Sequence, residues 1–193
     1  MNGYLTSPLT FLISTLVSLY ILAVMLRFLF QLTRADFYNP LTQFIVKITS
    51  PALRPLRRII PGWGGLDIAA LVLMLALQML SVWLVFLLAD RAIDPLNLFI
   101  VALAQLVDLA FSVFIFAILI QAILSWITPG TYNPVTSVLF SLTEPVLRPV
   151  RRFVPPISGF DLSPLVALLG LQVIRMLVMP LFGALTGAGP LAP

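Results

Sequence analysis

Six arginines in two matching trios carry most of the chemistry open to this chain. Arg54, Arg57 and Arg58 stand at i, i+3 and i+4, and Arg148, Arg151 and Arg152 repeat the spacing 94 residues later. On a helical turn each trio shares a face, with Leu53, Leu56 and Ile60, or Leu147, Val150 and Val154, largely opposite. A guanidinium offers a planar, permanently charged fork of donors, so such a face suits lipid phosphates or the carboxylates of a partner surface. The same residues also serve as a topology signal, because short cytoplasmic loops are rich in Lys and Arg. Topology accounts for the charge but not for the repeated Pro-x-Arg-Arg spacing.

Other chemistry is narrowly bounded. The chain has no cysteine and no histidine. Disulfides, thiolate catalysis, Cys/His zinc sites, His- or Cys-ligated haem and Ser-His-Asp catalysis are thereby excluded. Asp67 and Asp161 are matched, each ending a Gly-x-Asp. A carboxylate dyad is the catalytic reading. Each, however, stands just before an apolar run, where capping the next helix and meeting its positive dipole end is the simpler role. Gln78 and Gln172 follow those aspartates by eleven residues, on the same face and about 16 Å deeper along a helix. They read as interhelical hydrogen-bonding groups or as the lining of a small polar path. Asp108 and Arg175, matched to Ser14 and Ser81 in the first copy, read as an ion pair between the third and fourth spans. Arg27, matched to Gln121, reads as an interfacial anchor or an interhelical hydrogen-bond donor. No metal site and no cofactor is expected.

The elements that position these residues belong to a membrane protein. Hydrophobic residues make up 61% of the 193, charged residues only 9%, and the mean hydropathy of +1.11 lies far above that of soluble domains. A bilayer core about 30 Å thick needs roughly 20 apolar residues in a helix. Stretches 9–32, 67–89, 99–128 and 162–183 meet that requirement. Residues 1–8 lack a basic side chain and no small-residue cleavage site follows, so the first helix reads as retained. The expected fold is all-α and integral to the membrane, one domain over 1–193. Repeat one covers 9–90, repeat two covers 99–184, and a loose Gly/Pro/Ala-rich tail covers 185–193.

The repeat is explicit. Tyr38, Asn39 and Pro40 open a segment that continues through Pro51, Pro55 and the first arginine trio to Asp67. Tyr132, Asn133 and Pro134 open its copy, through Pro145, Pro149 and the second trio to Asp161. Segments 37–80 and 131–174 share 19 identities over 44 positions without a gap, an internal duplication. Asn39 is a good helix cap and Pro40 a good first helical residue. Leu41, Phe44, Ile45 and Ile48 then recur at i, i+3, i+4 and i+7, as do Val135, Val138, Leu139 and Leu142. This predicts a short amphipathic helix lying in the headgroup plane or re-entering shallowly. The prolines beyond it predict an interruption and a Pro-Arg turn in place of a long straight helix.

Charge sets the expected orientation. Eight of the eleven basic residues fall in the two repeat loops, whereas the turn from Asp90 to Pro95 is net acidic. Both repeat loops are therefore expected in the cytoplasm and both termini in the periplasm. Two spans per copy make the repeats parallel, not inverted. The sequence pI near 10.1 points to a membrane surface and not to nucleic acid. Trp63 and Trp126 fall near the inner interface and Trp83 nearer the outer one.

Two copies of Y-N-P, P-x-L-R-P-x-R-R and G-x-D between apolar helices resemble the YggT family of small bacterial and plastid membrane proteins. The resemblance covers nearly the whole chain, and its doubled, four-span form is similar to proteobacterial members. It implies a multi-pass protein of the bacterial inner membrane. It also implies links to osmotic-shock tolerance, to cell-division and envelope gene neighbourhoods, and to cofactor assembly in plastids, with no catalytic residues to carry over. Three functions then compete. A non-catalytic scaffold or assembly factor would present its arginine turns to anionic lipid and to an envelope or division protein. A homo-oligomeric channel or osmolyte carrier would use Gln78, Gln172, Asp108 and Arg175. An enzyme is disfavoured by the missing His and Cys and the single Lys.

Overall fold

The structure, a computed structural model, describes residues 3–127, 133–154 and 161–186. Six helices follow in order: α1 (Gly3–Leu32), α2 (Pro40–Ile59), α3 (Ile68–Leu88), α4 (Pro95–Ile127), α5 (Pro134–Phe153) and α6 (Ser163–Thr186). Among the described residues the only strand-like pairing is a bridge between Trp63 and Leu66, closed by Gly64 and Gly65 at φ 61° and 82°. Two successive positive φ values are what a tight two-residue hairpin turn demands, and glycine adopts them without strain.

Four helices are long and apolar enough to cross a membrane, over Pro8–Leu32, Ile68–Leu88, Pro95–Ser125 and Ser163–Thr186. α4, with 33 residues, would extend about 50 Å, so it tilts or projects beyond a hydrocarbon core of about 30 Å. α6 continues through Pro180 to Thr186, so the first two residues of the expected tail are helical and the rest lies outside the described residues. Leu165, Leu169, Val173, Met176 and Leu181 leave one broad side of α6 open, a surface suited to lipid.

Within each repeat the two spans pack together, α1 on α3 and α4 on α6, and α3 against α4 joins the repeats. α2 packs on α1 and α3, α5 packs on α4 and α6, and α5 also touches α2 and α1. Both amphipathic helices therefore sit at the same end of the bundle, as parallel repeats require. The main core joins Ile21, Val24 and Met25 of α1 to Met74 of α3, Val113 of α4, Leu53 of α2 and Val138 and Leu142 of α5. Ile118, Leu147 and Ala167 form a smaller cluster in repeat two. Leu53 and Leu147, matched across the repeats, are both completely buried.

Local sequence places the helix ends. Asn39 Oδ1 accepts from Leu41 N at 2.9 Å with Pro40 as the first helical residue. Asn133 and Thr136 form a reciprocal capping box on α5, at 2.9 and 3.1 Å. α1 and α3 end on left-handed residues, Arg34 (φ 54°) and Asp90 (φ 53°). There Ala35 N donates to Phe30 O at 2.9 Å and Arg91 N to Phe86 O at 3.0 Å, closing the last turn.

One expectation is corrected. α2 and α5 each run unbroken for 20 residues through both internal prolines, so the Pro-Arg segment is helix and not a turn. Pro51 and Pro55 are spaced by one turn and both are exposed. The carbonyls they leave unpaired, those of Lys47 and Pro51, belong to exposed residues on that same outer side, where water or headgroups can satisfy them. Pro145 and Pro149 are likewise exposed. The opposite side of α2 is pinned by buried Thr42, Thr49 and Leu53. The two copies also differ in their apolar stripe. Val138 and Leu142 are buried in the core, whereas their counterparts Phe44 and Ile48 are exposed on the outer side of α2.

Asn39 does a second job, donating from Nδ2 to Pro134 O at 2.7 Å and so tying the start of α2 to the start of α5. Asn39→Ala removes both cap and tie and is expected to lower stability by about 2 kcal/mol. Asn39→Asp keeps the cap acceptor and should recover about half of that loss. Thermal unfolding in detergent, followed by the fluorescence of the three tryptophans, measures both; equal losses would assign the whole effect to the tie.

Candidate functional site

The site is the end of the bundle where α2 and α5 lie, and it is built from two matched sets of polar bonds. Arg27 NH1 donates to Val46 O at 3.2 Å, to Thr49 Oγ1 at 2.8 Å and to Ser50 Oγ at 3.1 Å, fastening α1 to the middle of α2. In repeat two the Thr143 hydroxyl bonds Gln121 Oε1, fastening α4 to α5 at the equivalent position. Thr49 and Thr143 are both 0% exposed, and each hydroxyl also bonds back to its own helix, to Ile45 O at 2.6 Å and to Leu139 O at 2.9 Å. The sequence reading of Arg27 left open an anchor or an interhelical donor, and its bonds are those of the donor.

The second set joins each amphipathic helix to the span that follows. Arg57 forms an ion pair with Asp67, whose carboxylate also caps α3 by accepting from Ala70 N at 3.2 Å. Arg151 Nε reaches Asp161 Oδ2 at 3.1 Å and its NH1 reaches Glu144 Oε2 at 2.9 Å, while Asp161 Oδ1 accepts from Ser163 N at 2.9 Å. Partial burial pushes the Asp161 carboxyl up, but hydrogen bonds from Ser163 and the Arg151 guanidinium outweigh it and hold the group below the usual carboxylate value. The two aspartates serve as helix-start and clasp groups at opposite repeats, not as a dyad.

These clasps divide the six arginines. Arg57 and Arg151, with side chains 38% and 32% exposed, are engaged by the clasp carboxylates and are structural. Arg148 reaches Glu144 at 3.5 Å but is 70% exposed. Arg54, Arg58 and Arg152 are exposed and make no hydrogen bond or ion pair among the described residues. Ile59, Trp63 and Phe153 are each more than four-fifths exposed beside them, as is Tyr38. Guanidinium and aromatic side chains standing free together are what the headgroup layer of a bilayer accommodates. Tyr132 lies outside the described residues, as does the Trp126 side chain.

Deeper in the bundle, Arg175 Nε and NH2 meet Asp108 Oδ1 and Oδ2 at 2.6 and 2.7 Å, a bidentate pair between α6 and α4. Gln78 does not face its copy. It bonds Gln105 of α4, while Gln172 lies on the exposed side of α6. The reason is positional: α3 has the second repeat as a neighbour and α6 has no further repeat beside it. Gln105 was not singled out from the sequence, although its place three residues before Asp108 puts it on the same helical face. A cavity of about 420 Å³ between α1, α3 and α4 is lined by Ser14, Ser18, Gln78, Ser81, Gln105 and Asp108 among others. No cluster of metal-ligating side chains occurs among the described residues.

Fold and site together define a small multi-pass membrane protein made of two parallel units, each a span, an amphipathic proline-arginine helix and a second span. The sequence profile of the CCB3/YggT family matches residues 6–88 and 100–182, one copy per unit, and the chain belongs to that family. It is 45% identical over 185 residues to the uncharacterised Pseudomonas aeruginosa protein PA0392, covering 95% of this chain and 94% of that one. It is 41% identical over 179 residues to an uncharacterised Vibrio alginolyticus protein from the proC 3′ region, covering 92% and 96%. With the uncharacterised YggT protein of Escherichia coli K12 it shares 38% identity over 171 residues, 88% of each chain. No solved structure matches it.

Asp108→Asn and Arg175→Gln each leave one charge unpaired among apolar helices, whereas the double substitution removes both. A double-mutant cycle is expected to give a coupling of about 1–3 kcal/mol, and additive losses would mean the pair contributes nothing. The clasp of repeat two also has a pH signature. Because the folded Asp161 value is depressed, its contribution is fully present above the ordinary carboxylate value of about 4 and is lost only as pH falls through the lower folded value. The stability difference between wild type and Asp161→Asn should therefore hold constant from about pH 7 to about pH 5 and shrink only below about pH 4.

Proposed function

We propose that this chain is a non-catalytic scaffold of the bacterial inner membrane, a multi-pass protein with both repeat loops in the cytoplasm and both termini in the periplasm. It presents α2 and α5 to anionic lipid headgroups and, on the same face, to another envelope protein, serving as an assembly factor. The observation that carries this reading is the division of the arginines. Arg57 and Arg151 hold the fold, while Arg54, Arg58 and Arg152 stand exposed among Ile59, Trp63 and Phe153. An exposed cation costs less beside water than buried, and a row of them beside free apolar side chains favours an anionic, partly apolar surface. Concentration of basic residues in the repeat loops supports the orientation. A second reading, a homo-oligomeric channel or osmolyte carrier acting in osmotic stress, is favoured by the polar cavity between α1, α3 and α4. Four helices seldom enclose a pore alone, so that reading requires several copies.

The test is purification of tagged protein from native membranes in mild detergent, wild type against a variant with Gln at Arg54, Arg58, Arg148 and Arg152. Arg57 and Arg151 stay, so that the clasps remain. The variant is expected to lose a stoichiometric partner and to carry about fivefold less anionic lipid, with its unfolding temperature unchanged. Equal recovery of partner and lipid by both proteins would sink the scaffold reading. Solute flux through liposomes containing either protein as an intact oligomer would move the channel reading ahead.

A further inference from the structure

The two repeats act as controls for one another, and at one place they diverge in a consistent direction. Repeat one has Arg27 where repeat two has Gln121, and Ser50 where repeat two has Glu144. Both differences make repeat one more positive at the same spot, because Arg27 and Ser50 are in contact at 3.1 Å. In repeat two the carboxylates Glu144 and Asp161 both serve Arg151. In repeat one Asp67 serves Arg57, and Arg27 makes no ion pair among the described residues. Its three hydrogen bonds all leave from one terminal nitrogen, so its other terminal nitrogen and Nε have no hydrogen bond among the described residues.

Arg27 borders a cavity of about 270 Å³ between α1 and α2, lined also by Arg57, Gln31, Thr42, Val46, Phe30, Ala35 and Phe37. Thr42 is only 4% exposed, and its Oγ1 is a buried side-chain atom with no hydrogen-bond partner. Native proteins rarely leave such a hydroxyl unsatisfied without a ligand or water to meet it. Its copy Thr136 is fully occupied in the capping box with Asn133, and Phe140 stands where repeat one has the smaller Val46. A second guanidinium, an unpaired hydroxyl and a smaller side chain have thus come together in one repeat only. Arg27 lies five residues before the end of α1, about 8 Å along the helix from its terminus.

We infer that this cavity of repeat one is a binding site for a single phosphate group, held by Arg27, Arg57 and the Thr42 hydroxyl. Two guanidiniums and a hydroxyl supply the directed, charge-assisted donors that phosphate oxygens accept. The phosphate comes either from an anionic lipid headgroup or from a soluble phosphate ester. The site is separate from the exposed arginines, so its success or failure is independent of the scaffold reading.

The test uses the purified full-length protein in a non-ionic detergent, with phosphatidylglycerol followed by native mass spectrometry and inorganic phosphate followed by calorimetry. Phosphatidylcholine and chloride at equal ionic strength are the controls. One saturable site per chain is expected. Arg27→Gln and Ser50→Glu should each weaken it about tenfold, and Thr42→Val about fivefold. Ser50→Glu recreates the carboxylate that repeat two already accommodates, so it tests the site even where Arg27→Gln fails to fold. The variant with Gln at Arg54, Arg58, Arg148 and Arg152 should shed the anionic lipid held at the exposed surface yet keep this one saturable site at wild-type affinity. Binding of phosphatidylglycerol alone assigns the site to a lipid headgroup, binding of inorganic phosphate alone assigns it to a soluble ester, and both support it. The inference is overturned if neither probe saturates one site, if Ser50→Glu changes affinity less than twofold, or if the surface variant loses the saturable site itself.

Discussion

A helix containing two prolines can lie against a membrane bundle only if one side is held by protein and the other can leave its carbonyls to water. Everything distinctive about this structure follows from meeting that constraint twice. In α2 the prolines, Lys47 and Arg54 are exposed, while Thr42, Thr49 and Leu53 are buried. The buried threonines Thr49 and Thr143 are met by a polar side chain from the preceding span, Arg27 or Gln121. An ion pair then leads from each amphipathic helix into the span that follows, through Arg57 and Asp67 or Arg151 and Asp161. These bonds add to the buried contacts of Leu53, Val138, Leu142 and Leu147 in fixing where the amphipathic helices sit on the bundle. With them, the arginines of both helices are gathered at one end of the bundle.

The duplication also shows which parts of the unit can vary. Leu53 and Leu147, Thr49 and Thr143, and the arginine-aspartate clasps keep both identity and role. The residues around them have moved in pairs. Ser14 and Ser81 of repeat one correspond to Asp108 and Arg175 of repeat two, where the added charges neutralise each other in a bidentate contact. Arg27 and Ser50 correspond to Gln121 and Glu144, and the added cation of repeat one makes no ion pair among the described residues. The first exchange is self-contained and stiffens the contact between α4 and α6. The second leaves a surplus cation near the end of α1, and a surplus cation at low dielectric calls for an anion.

Much of the architecture was legible in the residues. The four spans, the parallel duplication, the caps at Asn39, Asn133 and Asp67 and the Asp108–Arg175 pair follow from apolar length, from offset identities and from the cost of a lone charge among lipid-facing helices. The continuity of α2 and α5 was not legible, because a proline penalty depends on whether the orphaned carbonyl faces solvent. Nor was the split among the arginines. Arg54, Arg57 and Arg58 are equivalent by spacing, and only the approach of Asp67 makes the middle one structural. Gln78 makes the interhelical bond that its position implied, but its partner Gln105 was not legible, and its copy Gln172 makes no such bond because symmetry in sequence does not give two residues the same neighbours at the two ends of an array.

By itself, then, the sequence determined what kind of molecule this is: how many spans, which are duplicated, where helices begin, and which end of the bundle gathers positive charge. Those properties depend on hydropathy and local backbone preference, which act within about one helical length. Tertiary structure decided which polar groups meet. Arg27 finding Thr49, Gln78 finding Gln105 and Thr42 being left without a partner all depend on distances between helices. Hydrogen bonds and ion pairs reach only about 3 Å, so packing alone selects which arginines hold the fold and which remain available.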